Sequence, residues 1–215
     1  MRFRNREHAA KLLLERLRAA YQNTNPLVLG VPRGAMPMAE IIANGLGGEL
    51  DLVLVHKLTH PEQPELAIGA MDEEGQAFVS EWAANLHPAY IESEKSRQLH
   101  ILKRRRALYT PGRGAIDPKG RIVIVVDDGI ATGSTLTAAL RAVRVKEPKK
   151  LIAVAAVASP EAARRMSEEC DAVVCLNVPA SFYSVGQYFD DFAEVKDEDV
   201  ARILSHKELR AAANE

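Results

Sequence analysis

Apolar positions along the chain change period several times, and each change marks an element. Residues 27–31, LVLGV, form a short continuous apolar run, after which Met38, Ile41, Ile42 and Leu46 recur at helical spacing until Gly47-Gly48 stops them. DLVLVHK at 51–57 reads as the next strand. A Pro-rich polar stretch at 58–66 is followed by a hairpin pattern: LAIGAM, the turn DEEGQ, then AFVS. A long polar helix is predicted over 88–110, entered at Pro88 and stopped before Pro111-Gly112. The strand 121–127, helix 134–146, strand 151–158, helix 160–169 and strand 172–178 follow in turn, and a last helix starts near 197. At the other end, MRFRNREHAAKLLLERLRAA has the spacing of an amphipathic helix.

Strands that alternate with helices predict an α/β fold with a mainly parallel sheet covered on both faces. Ligands bind such sheets beyond the carboxyl ends of the strands. The loops after 27–31, 51–57, 121–127 and 172–178 are therefore expected to converge on one crevice.

Composition narrows the function classes. With 47% hydrophobic residues, 215 residues can bury a full core, and 28 Lys plus Arg against 29 Asp plus Glu leave a net charge of −1. That balance exerts no overall pull toward nucleic acid or an anionic membrane, so neither is expected as a partner. There is no run of about 18 apolar residues and no signal-peptide pattern, so a cytoplasmic location is expected. Cys170 and Cys175, in CDAVVC, read as ordinary packed thiols. The basic run Lys103 to Arg106 points around most of its helix and reads as a solvated face.

The chemistry concentrates in VIVVDDGIATGST. Residues 129–135 offer small side chains, three hydroxyls, free backbone N–H groups and a helix N-terminus, which together make an anion nest suited to one phosphate. Asp127 and Asp128 precede it, placed to accept hydrogen bonds from two neighbouring hydroxyls. A sugar phosphate presents that combination. The alternative, an Asp pair that only caps a tight strand-to-helix turn, needs one carboxylate and no hydroxyl cluster.

This stretch resembles the phosphoribosyl pyrophosphate (PRPP) motif of the type I phosphoribosyltransferases. The resemblance implies that Asp127 and Asp128 hold the ribose hydroxyls and act, through those hydroxyls or water, on a magnesium ion. It implies that Ala131, Thr132, Gly133, Ser134 and Thr135 hold the 5′-phosphate. GVPRGAMPMAEIIA is similar to the family's pyrophosphate loop, which puts Arg33 and Gly34 against the diphosphate, and VHKL puts Lys57 at a strand end for the same group. Arg33 as a solvated loop residue and Lys57 as a plain surface lysine stay open beside these roles. The segment 58–66 resembles in placement a loop that closes over substrate, where His60 is either a participant or a surface residue.

The fold so implied is a single phosphoribosyltransferase domain over 1–215, with an insertion at about 72–112 and an acceptor-side hood at about 177–192. The implied reaction is magnesium-assisted displacement of pyrophosphate from C1 of PRPP by a nitrogen of a nucleobase-like acceptor. Asp127, Asp128, Arg33 and Lys57 would carry it. The hood places Phe182, Tyr183, Tyr188 and Phe189, four of the chain's ten Phe and Tyr residues, within eight positions. Phe182, Tyr183 and Tyr188 are the candidates for stacking on the acceptor. VGQYFDD is similar to the purine-contacting segment of hypoxanthine-guanine enzymes and sets Asp190 or Asp191 toward an exocyclic amine; the same aromatic residues could instead close the core. Where relatives that use 6-oxopurines carry an Asp, this chain has Ala131, so the general base has no assigned residue. A homodimer through the long helix is expected. A PRPP-binding regulator of the same fold, without transfer activity, is the alternative; the near-neutral charge and the absence of an added DNA-binding region weigh for the enzyme.

Overall fold

The computed structural model describes residues 1–63 and 66–212, with side chains through Ser205 in the last helix. Five parallel strands make the central sheet: β1 (Leu27–Gly30), β2 (Glu49–Leu52), β6 (Ile122–Ile130), β7 (Lys150–Ala158) and β8 (Ala172–Asn177), in the order β2-β1-β6-β7-β8. Helices α1 (Arg6–Tyr21) and α2 (Met36–Leu46) pack together on one face, and α4 (Ser134–Arg144) and α5 (Pro160–Glu169) on the other. Val123–Val126 and Leu151–Ala158 are exposed by 1% or less, which is why these runs carry no polar alternation. Asn5 caps α1 by accepting the His8 N–H at 2.9 Å, and Ala9, Ala10, Leu13, Leu14, Leu17 and Tyr21 form its buried stripe. Gly47, at φ 67°, ends α2 in the left-handed conformation expected of the Gly-Gly stop.

Two boundaries differ from the expected ones, each for a reason of pairing. The run at 51–57 is two strands. After the Val53 N–H reaches Gly30 O (3.1 Å), the chain leaves the central sheet. β3 (Val55–Thr59) then pairs antiparallel with β4 (Ala67–Asp72), and β4 with β5 (Ala77–Val79), in a second, three-stranded sheet. Alternation along one strand records burial and does not name the partner strand. β6 runs on past Asp127 to Ile130 because β7 supplies a partner through Ala158. Asp127 and Asp128 therefore lie within the ladder and not after it.

The long helix α3 (Pro88–Tyr109) covers the second sheet, and its buried stripe is polar: Glu94, Gln98, Leu102, Arg106 and Tyr109. Arg106, expected on a solvated face, has a side chain only 8% exposed. Its Nη1 donates to Asp51 at 2.8 Å and its Nε to Glu73 at 2.6 Å. A charge reads as surface in sequence unless its partners are visible, and these stand 55 and 33 residues away. α6 (Asp197–Ala212) packs on α2 and α3. Among the described residues, no helix is long and apolar enough to cross a membrane.

Candidate active site

An open crevice of about 560 Å³ lies at the carboxyl ends of β1 and β6. Its walls are the loop after β1 (Val31, Pro32, Arg33, Gly34), the end of β6 (Asp127, Asp128), Thr135 at the start of α4, the segment after β8 (Val185, Phe192, Glu194, Val195) and Arg6. The loops of β1, β6 and β8 thus converge as the strand pattern predicts. Among the described residues, none of the loop after 51–57 lines it, because β3 has left the sheet.

The β6 end supplies two carboxylates. Asp127 Oδ1 accepts the Asp128 N–H at 2.9 Å, and burial together with the Asp128 charge holds the Asp127 carboxyl well above its ordinary pKa. Asp128 Oδ2 accepts from Arg6 Nε at 2.8 Å, in a pair whose side chains are 12% and 13% exposed. Gly34 makes this arrangement possible: a Cβ there would stand 2.2 Å from Asp128 Oδ2. Gly129 serves the opposite wall, since a Cβ on it would stand 2.4 Å from Val185 Cγ1. From the loop after β1, Arg33 Nη2 donates to Glu194 Oε1 at 2.8 Å, with Asp197 at 4.0 Å from Nη1. Asp197 also accepts from the Tyr109 hydroxyl at 2.5 Å, and burial and that carboxylate push the Tyr109 pKa up to about 12.

The expected phosphate loop is a tight turn at the N-terminus of α4. Gly133 stands at its N-cap with φ 79°, and no side chain caps the helix. Ala131 O accepts from Ser159 Oγ at 2.7 Å and Thr132 O from Arg165 at 3.3 Å, while the Thr132 and Ser134 hydroxyls lie 3.1 Å apart. These contacts engage the loop's carbonyls, and the helix N-terminus that follows β6 carries the positive end of its dipole. Thr135 lines the crevice itself.

Several residues singled out from the sequence stand elsewhere. Lys57 sits within β3 and not at the end of a central strand; with Val55, His56, Thr59, Thr135 and Ala138 it lines a neighbouring hollow of about 280 Å³. Of the segment 58–66, Pro64 and Glu65 lie outside the described residues. Among the hood candidates, Phe182 stacks on Tyr188 with centroids 5.6 Å apart, and the Tyr188 hydroxyl donates to Ser181 O at 2.8 Å. Tyr183 is 87% exposed, and Asp190 pairs with Arg2 at 2.6 Å. None of these four lines the crevice. Phe182 and Tyr188 stack on each other, and Phe3 bridges the backbone to Phe189, so this part of the hood is spent on its own packing and on the N-terminal segment.

Arg6 is the residue the sequence pattern did not single out. It makes three contacts on two segments: Asp128 on β6, and after β8 both Ala193 O at 2.6 Å and the Phe192 ring, whose centroid lies 3.8 Å from its guanidinium carbon. A signal existed, because an arginine at the first position of a helix opposes the dipole and calls for an anion elsewhere. Glu194 gave no signal; it is one of many carboxylates near the last helix.

The chain matches the family model described as phosphoribosyl transferase domain over residues 3–191. A Mycobacterium tuberculosis (strain H37Rv) protein with the provisional name phosphoribosyl transferase Rv0571c is 35% identical over 215 residues, 98% of this chain and 48% of that one. The chain spans about half the length of the curated relatives it matches. The uracil phosphoribosyltransferase of Aquifex aeolicus is 43% identical over 51 residues, 24% of each chain. Among solved structures, TT1426 from Thermus thermophilus superposes with a TM-score of 0.86 at 43% identity, covering 96% of this chain and 99% of that one.

Proposed function

Because the chain belongs to the phosphoribosyl transferase domain family, we propose that it transfers the phosphoribosyl group of PRPP to a nitrogen of a nucleobase-like acceptor, purine-like before others. The observation that carries this reading is that two groups meet in one crevice: the Asp127-Asp128 pair and the Arg33-Gly34 loop, with Thr135 at the helix N-terminus beside them. A ribose diol accepted by the carboxylates leaves its 5′-phosphate to Ala131 through Thr135 and its pyrophosphate to Arg33 and the Gly34 N–H. Lys57 approaches the same ligand from the adjoining hollow, which shares Thr135.

Magnesium fits this chain only together with substrate oxygens. Among the described residues, no group of three His, Cys, Asp or Glu could hold a metal by itself. Two crowded carboxylates, one of them resisting ionisation, would gain from a divalent cation reached through ribose hydroxyls or water. Bound there, the ion would neutralise charge developing on the leaving pyrophosphate. The protein's own part is positioning: Arg6 fixes Asp128, Gly34 lets that carboxylate meet the loop, and Val185, Phe192 and Val195 wall the acceptor side against water.

The test is calorimetric titration of PRPP with magnesium into the wild type and into Asp127→Asn with Asp128→Asn. Two charge-assisted hydrogen bonds lost predict affinity about a hundredfold weaker or more. Equal binding to both proteins sinks the assignment. A panel of adenine, hypoxanthine, guanine, uracil and orotate, scored by pyrophosphate release, then separates transferase from PRPP-binding regulator.

A further inference from the structure

Resting on the transfer reading above, we propose that Glu194 is a catalytic residue: the carboxylate that takes the acceptor's proton, held on Arg33 until a pyrophosphate-bearing substrate displaces it. Among the described residues, three carboxylates line the crevice: Asp127, Asp128 and Glu194. Asp128 is pinned by Arg6 and pressed against Gly34, and Asp127 accepts the Asp128 N–H; both serve the diol. The loop 131–135 contains no carboxylate. Glu194 remains, on the wall that also carries Val185, Phe192 and Val195.

Its present partner is the cation that the pyrophosphate needs. The Arg33–Glu194 pair, with side chains 41% and 69% exposed, is the kind that favours association by about fivefold or less. A pyrophosphate brings several charges to the same guanidinium and displaces a single exposed carboxylate. Asp197, at 4.0 Å from Arg33 and already engaged by the Tyr109 hydroxyl, does not take over the role. With the diol at Asp127-Asp128 and the pyrophosphate at Arg33, C1 lies between them. Arg33 then moves with the leaving group, whereas Glu194 stays with the segment after β8, on the side from which an acceptor approaches. As the new N–C1 bond forms, the C1–O bond breaks with its electron pair leaving on pyrophosphate. The proton released by the acceptor nitrogen passes to Glu194, whose exposure lets it return to water. Substrate binding is thereby ordered, PRPP before acceptor.

Two arms test this. In the first, inorganic pyrophosphate with magnesium is titrated into wild type and Glu194→Gln; the variant should bind about two- to fivefold more tightly, because Arg33 is no longer occupied. Equal or weaker binding overturns the proposal. In the second, transfer from PRPP to the base the wild type uses should fall by about 10²- to 10⁴-fold in Glu194→Gln. Glu194→Asp should keep part of the rate, and Glu194→Gly should regain rate on adding formate. A loss that parallels PRPP affinity and is not regained with formate overturns it, as does an undiminished Glu194→Gln. Wild type that fails to bind PRPP sinks the proposed function instead, so the two failures are distinguishable.

Discussion

Alanine at position 34 would bring a methyl group to 2.2 Å from Asp128 Oδ2, 3.0 Å from its Cγ and 3.3 Å from Arg6 Nη2. Ordinary contact begins near 3.4 Å, so the carboxylate must retreat by roughly an ångström. Its 2.8 Å pair with Arg6 gives way in the same movement. Gly34 is not at positive φ, so the backbone itself accepts alanine, and the whole cost arises from this contact. Overpacking of this sort costs about 1–3 kcal/mol, set against about 0.4–1 kcal/mol gained because alanine restricts the unfolded chain. The net effect on melting is therefore a loss of about 10 °C at most for a chain of this size. Binding should suffer far more. A carboxylate displaced by about an ångström loses a charge-assisted hydrogen bond of about 1.5–3 kcal/mol, which weakens PRPP by about ten- to a hundredfold. The assay is PRPP titration in magnesium beside a thermal melt, with Gly114→Ala as control, since a Cβ at Gly114 meets nothing within 4 Å. PRPP affinity in Gly34→Ala within about twofold of wild type would show that the Asp128 carboxylate does not hold PRPP in the position seen here.

Arg106→Met takes from Glu73 its ion-pair partner and leaves buried Asp51 to Arg113 at 3.5 Å and the Ile116 N–H at 2.9 Å, at a cost of about 3–5 kcal/mol. A melting temperature lower by roughly 6–20 °C is expected, and a change of less than about 2 °C would show that these charges find other partners. Asp72 is 3% exposed, its Oδ2 has no hydrogen-bond partner among the described residues and only Lys146 Nζ at 3.9 Å, and burial outweighs that charge and raises its pKa. A carboxyl whose folded pKa exceeds its unfolded value binds its proton more firmly when folded. Its destabilising effect therefore grows as pH rises from the unfolded value through the folded one, and is full above that. Asp72→Asn, which keeps an oxygen for the Glu74 and Gln76 N–H groups, should melt higher than wild type at pH 7 and equally at pH 3. A variant that melts lower at pH 7 counts against it.

The central sheet and its helices were legible because β6 and β7 are buried on both faces and because helices announce themselves with starts and stops, as at Pro88 and Gly47. The Asp127-Asp128 pair and the turn into α4 were legible for a related reason: a strand, two carboxylates and a helix N-terminus adjoin in the chain, so their chemistry is local. The Arg33-Gly34 loop was legible in the same way. What the tertiary structure alone decided is every relation across the crevice. That β3 deserts the central sheet and carries Lys57 with it depends on the hairpin β4-β5, which offers it a ladder. That Arg106 is buried depends on Asp51 and Glu73. That Arg6 holds Asp128, and Glu194 holds Arg33, depends on contacts 122 and 161 residues apart in the chain. Periodicity and spacing report which groups are near along the backbone; ion pairs between distant segments form only when packing brings them together, and it is those pairs that set the electrostatics of the site.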